Sequence, residues 1–341
     1  MKTLLLLLAL QAAPPDHLAP PVRIGKWIVP AQKTDARPVW GIKGGVSVGL
    51  WPQGGPRGLL RVYTPYLGQR RYRVMNFIAV EPVVGRARGL SELEPSGLDR
   101  VRGKRMWTSN DLENDPGPAL PWRPARGKFI DVGKGKKALT FFLVVERFRN
   151  GARPVIQVLL REDLPHEVGF RIFSARGGKR MKSCILTATM GNWARLRNLW
   201  LKNDVFESTH LWAGQDLNRF GFMDSRAWPL KKLLRIKDEV IVACTPDEAD
   251  PARAGYSKSV PSWWRYRGRV ATQYWRKRKP HKGLVVRVNG RNTYWGTKAP
   301  IPGGVAFENF EFEEPFSPGQ EFWFGVTPRS PDSLGFKPVR Q

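Results

Sequence analysis

The residues best placed to do chemistry in this chain lie in "IPGGVAFENFEFEEPFSPGQEFWFGV", residues 301–326, where Glu308 stands among aromatic side chains. A strand over 305–312 alternates its side chains between two faces. Ala306, Glu308, Phe310 and Phe312 are then expected on one face, and Phe307, Asn309 and Glu311 on the other. A carboxylate in line with Ala and two Phe stands either at the wet margin of a sheet or in a cleft. In a cleft, desolvation raises its pKa and prepares it for acid–base work. Glu92 and Glu94, in "LSELEP", are candidates for a second carboxylate facing the same space.

Two further stretches carry groups that suit a ligand. Residues 263–283, "WWRYRGRVATQYWRKRKPHKG", contain Arg265, Arg267, Arg269 and the Arg276–Lys279 run without one acidic residue. Tyr274, Trp275 and Arg276 bring two aromatic rings and a guanidinium together. Sugars present apolar C–H faces to such rings, and their anionic groups suit planar Arg forks. Nucleic acid uses the same two residue types, and a solvated basic sheet edge also has this composition. Fourteen Trp exceed the ordinary needs of a β core, and Trp193, Trp212, Trp228, Trp263, Trp264 and Trp295 neighbour polar or turn residues. Rings so placed either grip a carbohydrate or fill the core with the indole N–H satisfied.

The bulk numbers bound the architecture. The chain has 341 residues, 41% hydrophobic and 25% charged, enough for one large or two ordinary domains. Its formal charge of +28 concerns partners, not fold, and attracts polyanions. Lys2, the apolar run Leu4–Leu10 and small residues over Ala9–Ala13 have the pattern of a secretory signal peptide, which predicts a secreted or periplasmic protein. Residues 14–38 are Pro-rich and read as a leader. Cys184 and Cys244 either pair in an oxidising compartment or remain two separate buried thiols. Neither the Cys nor the four His have metal-ligand spacing, and no phosphate-binding loop or nucleophile elbow is present, so no metal and no cofactor are expected.

Strand-like runs separated by Gly and Pro recur from residue 44 to residue 328 without βαβ alternation. They predict an all-β fold, a large antiparallel β-sandwich formed by a single domain over 39–341. An irregular insertion is expected near 86–127. The run after Asn192, "RLRNLWL", suits a helix, with Leu196, Leu199 and Trp200 at helical spacing, or equally a strand, and Asn289-Gly290 is a two-residue hairpin signal.

The order "GGVAFENFEF…PFSPGQEFWFGV" resembles the end of galactose-mutarotase-like supersandwich proteins, where a strand bearing a catalytic Glu precedes a Pro-Gly turn and a last strand. "GGVSVGLWPQGGPRGLLRVY" is similar to the opening hairpin of that fold. The resemblance implies a supersandwich, a carbohydrate in its cleft and Glu308 as base. The family's general-acid His has no counterpart in "MGNWARL", where Asn192 and Trp193 stand, and His210 is the nearest substitute. The expected site therefore comprises Glu308 and His210 for proton transfer, Arg195 and Arg197 to orient an anionic group, and Trp193, Tyr274, Trp275 and Arg276 against the ring. The function expected is that of an exported, monomeric carbohydrate-active or carbohydrate-binding protein for an acidic or neutral glycan. A non-catalytic binder of cell-surface polyanions or extracellular nucleic acid is the alternative.

Overall fold

A computed structural model describes residues 18–50, 57–65, 73–119, 122–189, 195–247, 258, 271–294 and 299–337, with the side chains of 73–75 excepted. The proposed signal segment lies outside the described residues. In chain order the strands begin with β1 (Val22–Ile24), β2 (Trp27–Val29), β3 (Val39–Ile42), β4 (Ser47–Gly49), β5 (Leu59–Thr64), β6 (Arg73–Val84), β7 (Ala87–Arg88) and β8 (Met106–Ser109). Next come β9 (Lys128–Asp131), β10 (Lys137–Val145), β11 (Pro154–Arg161), β12 (Glu167–Ser174), β13 (Ser183–Thr189), β14 (Leu196–Trp200) and β15 (Val205–Glu207). A one-turn helix, α1 (Ser208–Leu211), precedes β16 (Arg226–Pro229), β17 (Leu234–Ile236), β18 (Glu239–Pro246), β19 (Thr272–Arg278), β20 (Val285–Arg291), β21 (Ala306–Glu313) and β22 (Gln320–Thr327).

These strands form two eleven-stranded antiparallel sheets, so the protein is an all-β sandwich. The first sheet runs β1-β2-β3-β4-β5-β6-β13-β21-β20-β16, and the second runs β15-β14-β18-β19-β22-β12-β11-β10-β8. The period-two pattern decides the layers: Ile78 and Val80 of β6, Leu186 and Ala188 of β13, and Phe310 and Phe312 of β21 face the second sheet. Trp40 stacks on Phe141 across the gap at 4.0 Å between ring centroids. Two polar contacts also cross it. Asn76 Nδ2 donates to Gln273 Oε1 at 2.8 Å, and Trp275 Nε1 donates to the Phe310 carbonyl at 2.9 Å. Among the described residues no helix is long and apolar enough to cross a membrane.

Several details differ from what local sequence suggests or left open. Residues 196–200 are a strand, because β14 completes ladders with both β15 and β18. Cys184 and Cys244 are separate, free and buried. Burial pushes both thiols up, away from nucleophilic use.

Asn289-Gly290 is not a turn. Both residues lie inside β20, where the register shifts so that Asn289 faces Asn309 while Gly290 faces Phe307. Glu308 is the extra residue of a β-bulge. A Cβ on Gly290 would lie 2.8 Å from both Trp212 Cζ3 and Val305 Cγ1, so this glycine is required by close approach and not by a turn. Gly290→Ala should destabilise the fold by about 1–3 kcal/mol through overpacking, measured by urea denaturation. An unchanged midpoint would show that Trp212 and Val305 can yield.

Candidate functional site

The face of the first sheet turned away from the core carries a continuous cross-strand array. Leu59, Ala79, Thr187, Glu311 and Arg287 form one row, and Arg61, Phe77, Thr189, Asn309 and Asn289 form the next. Ala79 and Thr187 are small, which leaves a depression between larger neighbours. The loop around Leu90–Leu93 and the loop around Asn218–Ser225 wall it, giving a cleft of about 560 Å³. That volume falls within the range of small-molecule sites. Glu81, Glu92, Glu308 and Glu311 all line it, together with Arg88 and Arg287.

Arg88 organises the floor. It lies in β7, folded back on β6 by the hairpin at Gly85. Its guanidinium donates to Glu81 Oε2 and, at 2.8 Å, to Glu311 Oε2, which also accepts from Thr187 Oγ1 at 2.7 Å. Burial acts against the Arg88 charge, but Glu311 and Glu81 outweigh it and hold the group cationic. For Glu81, burial pushes the carboxyl up to about 7, Arg88 opposes this, and Glu311 adds to the rise. Burial likewise raises Glu92, against the pull of Arg102 and Arg61.

The wall that supplies Glu92 has its own anchor. Buried Glu146 accepts from Ser96 Oγ at 2.6 Å, from the Gly97 amide at 2.6 Å, from the Arg105 amide at 2.8 Å and from Lys104 Nζ at 3.2 Å. Lys104, also buried, lies 3.1 Å from Glu94 Oε1. The two "LSELEP" carboxylates therefore separate: Glu92 faces the cleft and Glu94 ties down the loop. A broader groove of about 960 Å³ runs past Asp111, Asp115 and Arg126. Its acids are engaged locally, Asp111 with Lys128 and Asp115 with the Trp107 indole, so it offers less chemistry than the cleft.

Glu308 is only 4% exposed. The bulge overturns the expected alternation: Phe307, Phe310 and Phe312 all enter the core, while Glu308 turns to the cleft beside Asn309 and Glu311. Burial lowers the pKa of the neighbouring Arg291 guanidinium and Glu308 raises it, which places the two charges within electrostatic reach. The chain entering β21 is held by Arg197. Its Nε donates to the Val305 carbonyl at 3.2 Å, and NH2 donates to those of Pro302 and Gly304 at 2.5 and 3.1 Å. NH1 donates to Asp247 Oδ2 at 2.6 Å.

The other expected site residues are placed differently. Arg197 is buried in those contacts and is not directed at a ligand. Arg195 is also buried, with NH2 3.8 Å from Asp247. Trp275 lies in the core and supports β21 from behind through the Phe310 carbonyl, so no ring stacking is open to it. Tyr274 and Arg276 occupy the outer face of the second sheet. The Tyr274 hydroxyl donates to Glu167 Oε1 at 2.8 Å, and Arg276 Nε donates to Glu167 Oε2 at 2.8 Å. They converge there because strand alternation sends them to the opposite face from Trp275. His210, on α1, has a side chain 84% exposed and stands 3.6 Å from Glu207, away from the residues lining the cleft. Trp193 lies outside the described residues, as do Trp263, Trp264, Trp295 and Arg265–Arg269. Trp212 is buried, its indole donating to the Asp224 carbonyl at 3.0 Å.

Glu81, Arg88, Thr187 and Arg287 were missed by sequence reasoning. The available signal was Glu81 itself, an acid interrupting the apolar run "NFIAVEPVV". No protein-family model matches the chain, and no curated protein matches it in sequence.

Two measurements check this geometry. Arg197→Ala should cost about 2–4 kcal/mol, because it strands three carbonyls and Asp247, and Arg197→Lys should recover only part, because an ammonium lacks the planar fork. Equal denaturation midpoints for wild type and Arg197→Ala would refute the clamp. The second concerns pH. Glu81 has its carboxyl raised from 4.5 to about 7, so the folded state holds this proton more tightly than the unfolded chain. The associated stability is complete below about 4.5 and is lost as the pH rises through 7. The melting temperature of wild type should therefore fall relative to that of Glu81→Gln between those limits, whereas parallel curves would contradict the assignment.

Proposed function

We propose that this chain is a carbohydrate-active protein of the galactose mutarotase-like supersandwich type, acting by proton transfer in the cleft. The observation that carries the reading is that two buried carboxylates, Glu81 and Glu308, line one cleft on one sheet face. Glu308 serves as base, and Glu81, protonated for much of the time near neutral pH, serves as acid. Glu81 takes the role first assigned to His210. Glu311, Asn309 and Arg88 supply acceptors and donors for sugar hydroxyls, and Phe77 and Phe222 supply apolar wall. Lyase or epimerase chemistry needs one base and one acid, the two roles assigned here to Glu308 and Glu81.

The charge pattern refines the ligand. Glu81 and Glu311 face Arg88, Glu92 is near Arg61 and Arg102, and Glu308 is near Arg291. Cations in and around the cleft are matched by acids, so a neutral, hydroxyl-rich sugar suits it better than an acidic one. The N-terminal pattern supports export, and the two large sheets with a cleft on one outer face support the supersandwich reading. The +28 charge favours a second reading, a non-catalytic binder of polyanions whose affinity falls steeply with salt.

Proton NMR of neutral and acidic sugars incubated with the protein tests both. Exchange between anomers or new olefinic signals are expected, with Glu308→Gln reducing turnover by about 10²–10⁴-fold while ligand-induced line broadening persists. Broadening without chemical change, indifferent to Glu308→Gln, would establish the binder instead.

A further inference from the structure

We infer that the ligand is a glycan chain rather than a free monosaccharide, and that Phe220 is the stacking platform for the unit that projects from the cleft mouth. The inference rests on the carbohydrate reading above and concerns what lies beyond the carboxylate floor.

Three phenylalanines line the cleft, and each has an Arg guanidinium over its ring. Phe77 lies under the Arg61 guanidinium at 5.7 Å, and Phe222 lies under that of Arg291 at 5.0 Å. Phe220 is different: it belongs to the cleft lining yet is 67% exposed, so its ring extends past the enclosed volume into water. A ligand confined to the floor leaves that ring wet. One that continues through the mouth covers it.

The ring is presented by a braced turn. Asn218 Oδ1 accepts from the amides of Phe220 at 2.9 Å and Phe222 at 3.2 Å, and the Asn218 amide donates to the Phe222 carbonyl at 2.8 Å. The Met223 amide then donates to the Gly290 carbonyl at 2.8 Å, which fastens the turn to β20 at the bulge beside Glu308. Platform and floor are thus tied to the same backbone irregularity. A single exposed aromatic needs no explanation. Here a second exposed apolar side chain, Leu93 at 37%, reaches the same cleft from the separately anchored Leu90–Leu93 loop. An apolar rim above a polar floor matches a sugar chain, whose hydroxyls face carboxylates at one unit and whose C–H face meets a ring at the next. Arg219, with Cζ 4.7 Å from the Phe220 centroid, adds a donor at the rim.

The test is a glycan array of mono- to hexasaccharides built from neutral hexoses, pentoses, uronic acids and amino sugars, probed with the full chain and with Phe220→Ala, Phe220→Trp and Glu308→Gln. Retention should rise about 3–10-fold between one unit and two or three, the scale of one aromatic stacking contact. In Phe220→Ala, with its melting temperature checked against wild type, affinity for the trisaccharide should fall to that for the monosaccharide. Phe220→Trp should keep the length dependence. Equal retention of monosaccharide and trisaccharide by wild type, or undiminished length dependence in Phe220→Ala, would overturn the platform and leave the carbohydrate reading intact. Retention of no glycan by any of the proteins would overturn both.

Discussion

Two carboxylates, Glu81 and Glu311, share one face of a sheet in a largely desolvated depression, and the guanidinium of Arg88 between them makes that arrangement tenable. Without a cation, like charges so close could be buried only by protonating one of them. Even with it, burial leaves Glu81 raised to about 7, so the cleft holds a carboxyl that gains and loses its proton near neutrality. Strand β7 carries Arg88 back over β6. The loop that follows is then drawn over the sheet and fixed by buried Glu146. The cleft wall follows from that ion bridge and its anchor.

The opposite side of the same sheet explains the stiffness of the floor. Trp275 and Gln273 from the second sheet make polar contacts to β21 and β6, so the strands bearing Glu308, Glu311 and Glu81 are held from behind as well as by their ladders. Arg197 performs a related task at the entry to β21 by gathering three carbonyls of the 302–305 segment. Sequence reasoning assigned Trp275 and Arg197 to the ligand. They act instead through the backbone on the residues that face the cleft, as positioning groups.

Much of the architecture was legible in the chain. Alternating apolar runs marked β10, β11, β12, β18, β21 and β22 with small boundary errors, because the period of two is a local property of a pleated strand. That Glu308 is a carboxylate set among apolar neighbours was legible. Its direction was not, because a one-residue bulge reverses every face assignment on one side of it and depends on Gly290 lying against Trp212 from elsewhere in the chain. Tyr274, Trp275 and Arg276 were read as one cluster because they are consecutive, yet consecutive strand residues point to opposite faces.

By itself, the sequence determined that this protein is an antiparallel β-sandwich, that it is strongly basic and that a carboxylate near its C-terminus, Glu308, is set among apolar residues in the chain. Those properties follow from composition and short-range periodicity. Only the tertiary structure decided that Glu81, Glu92, Glu308 and Glu311 meet, that Arg88 bridges two of them, and that His210 stands apart in solvent. The strands involved pair in the spatial order β6-β13-β21-β20, which brings residues from three separated parts of the chain side by side. Such pairing is a long-range choice made by the fit of whole faces, and no local pattern encodes it.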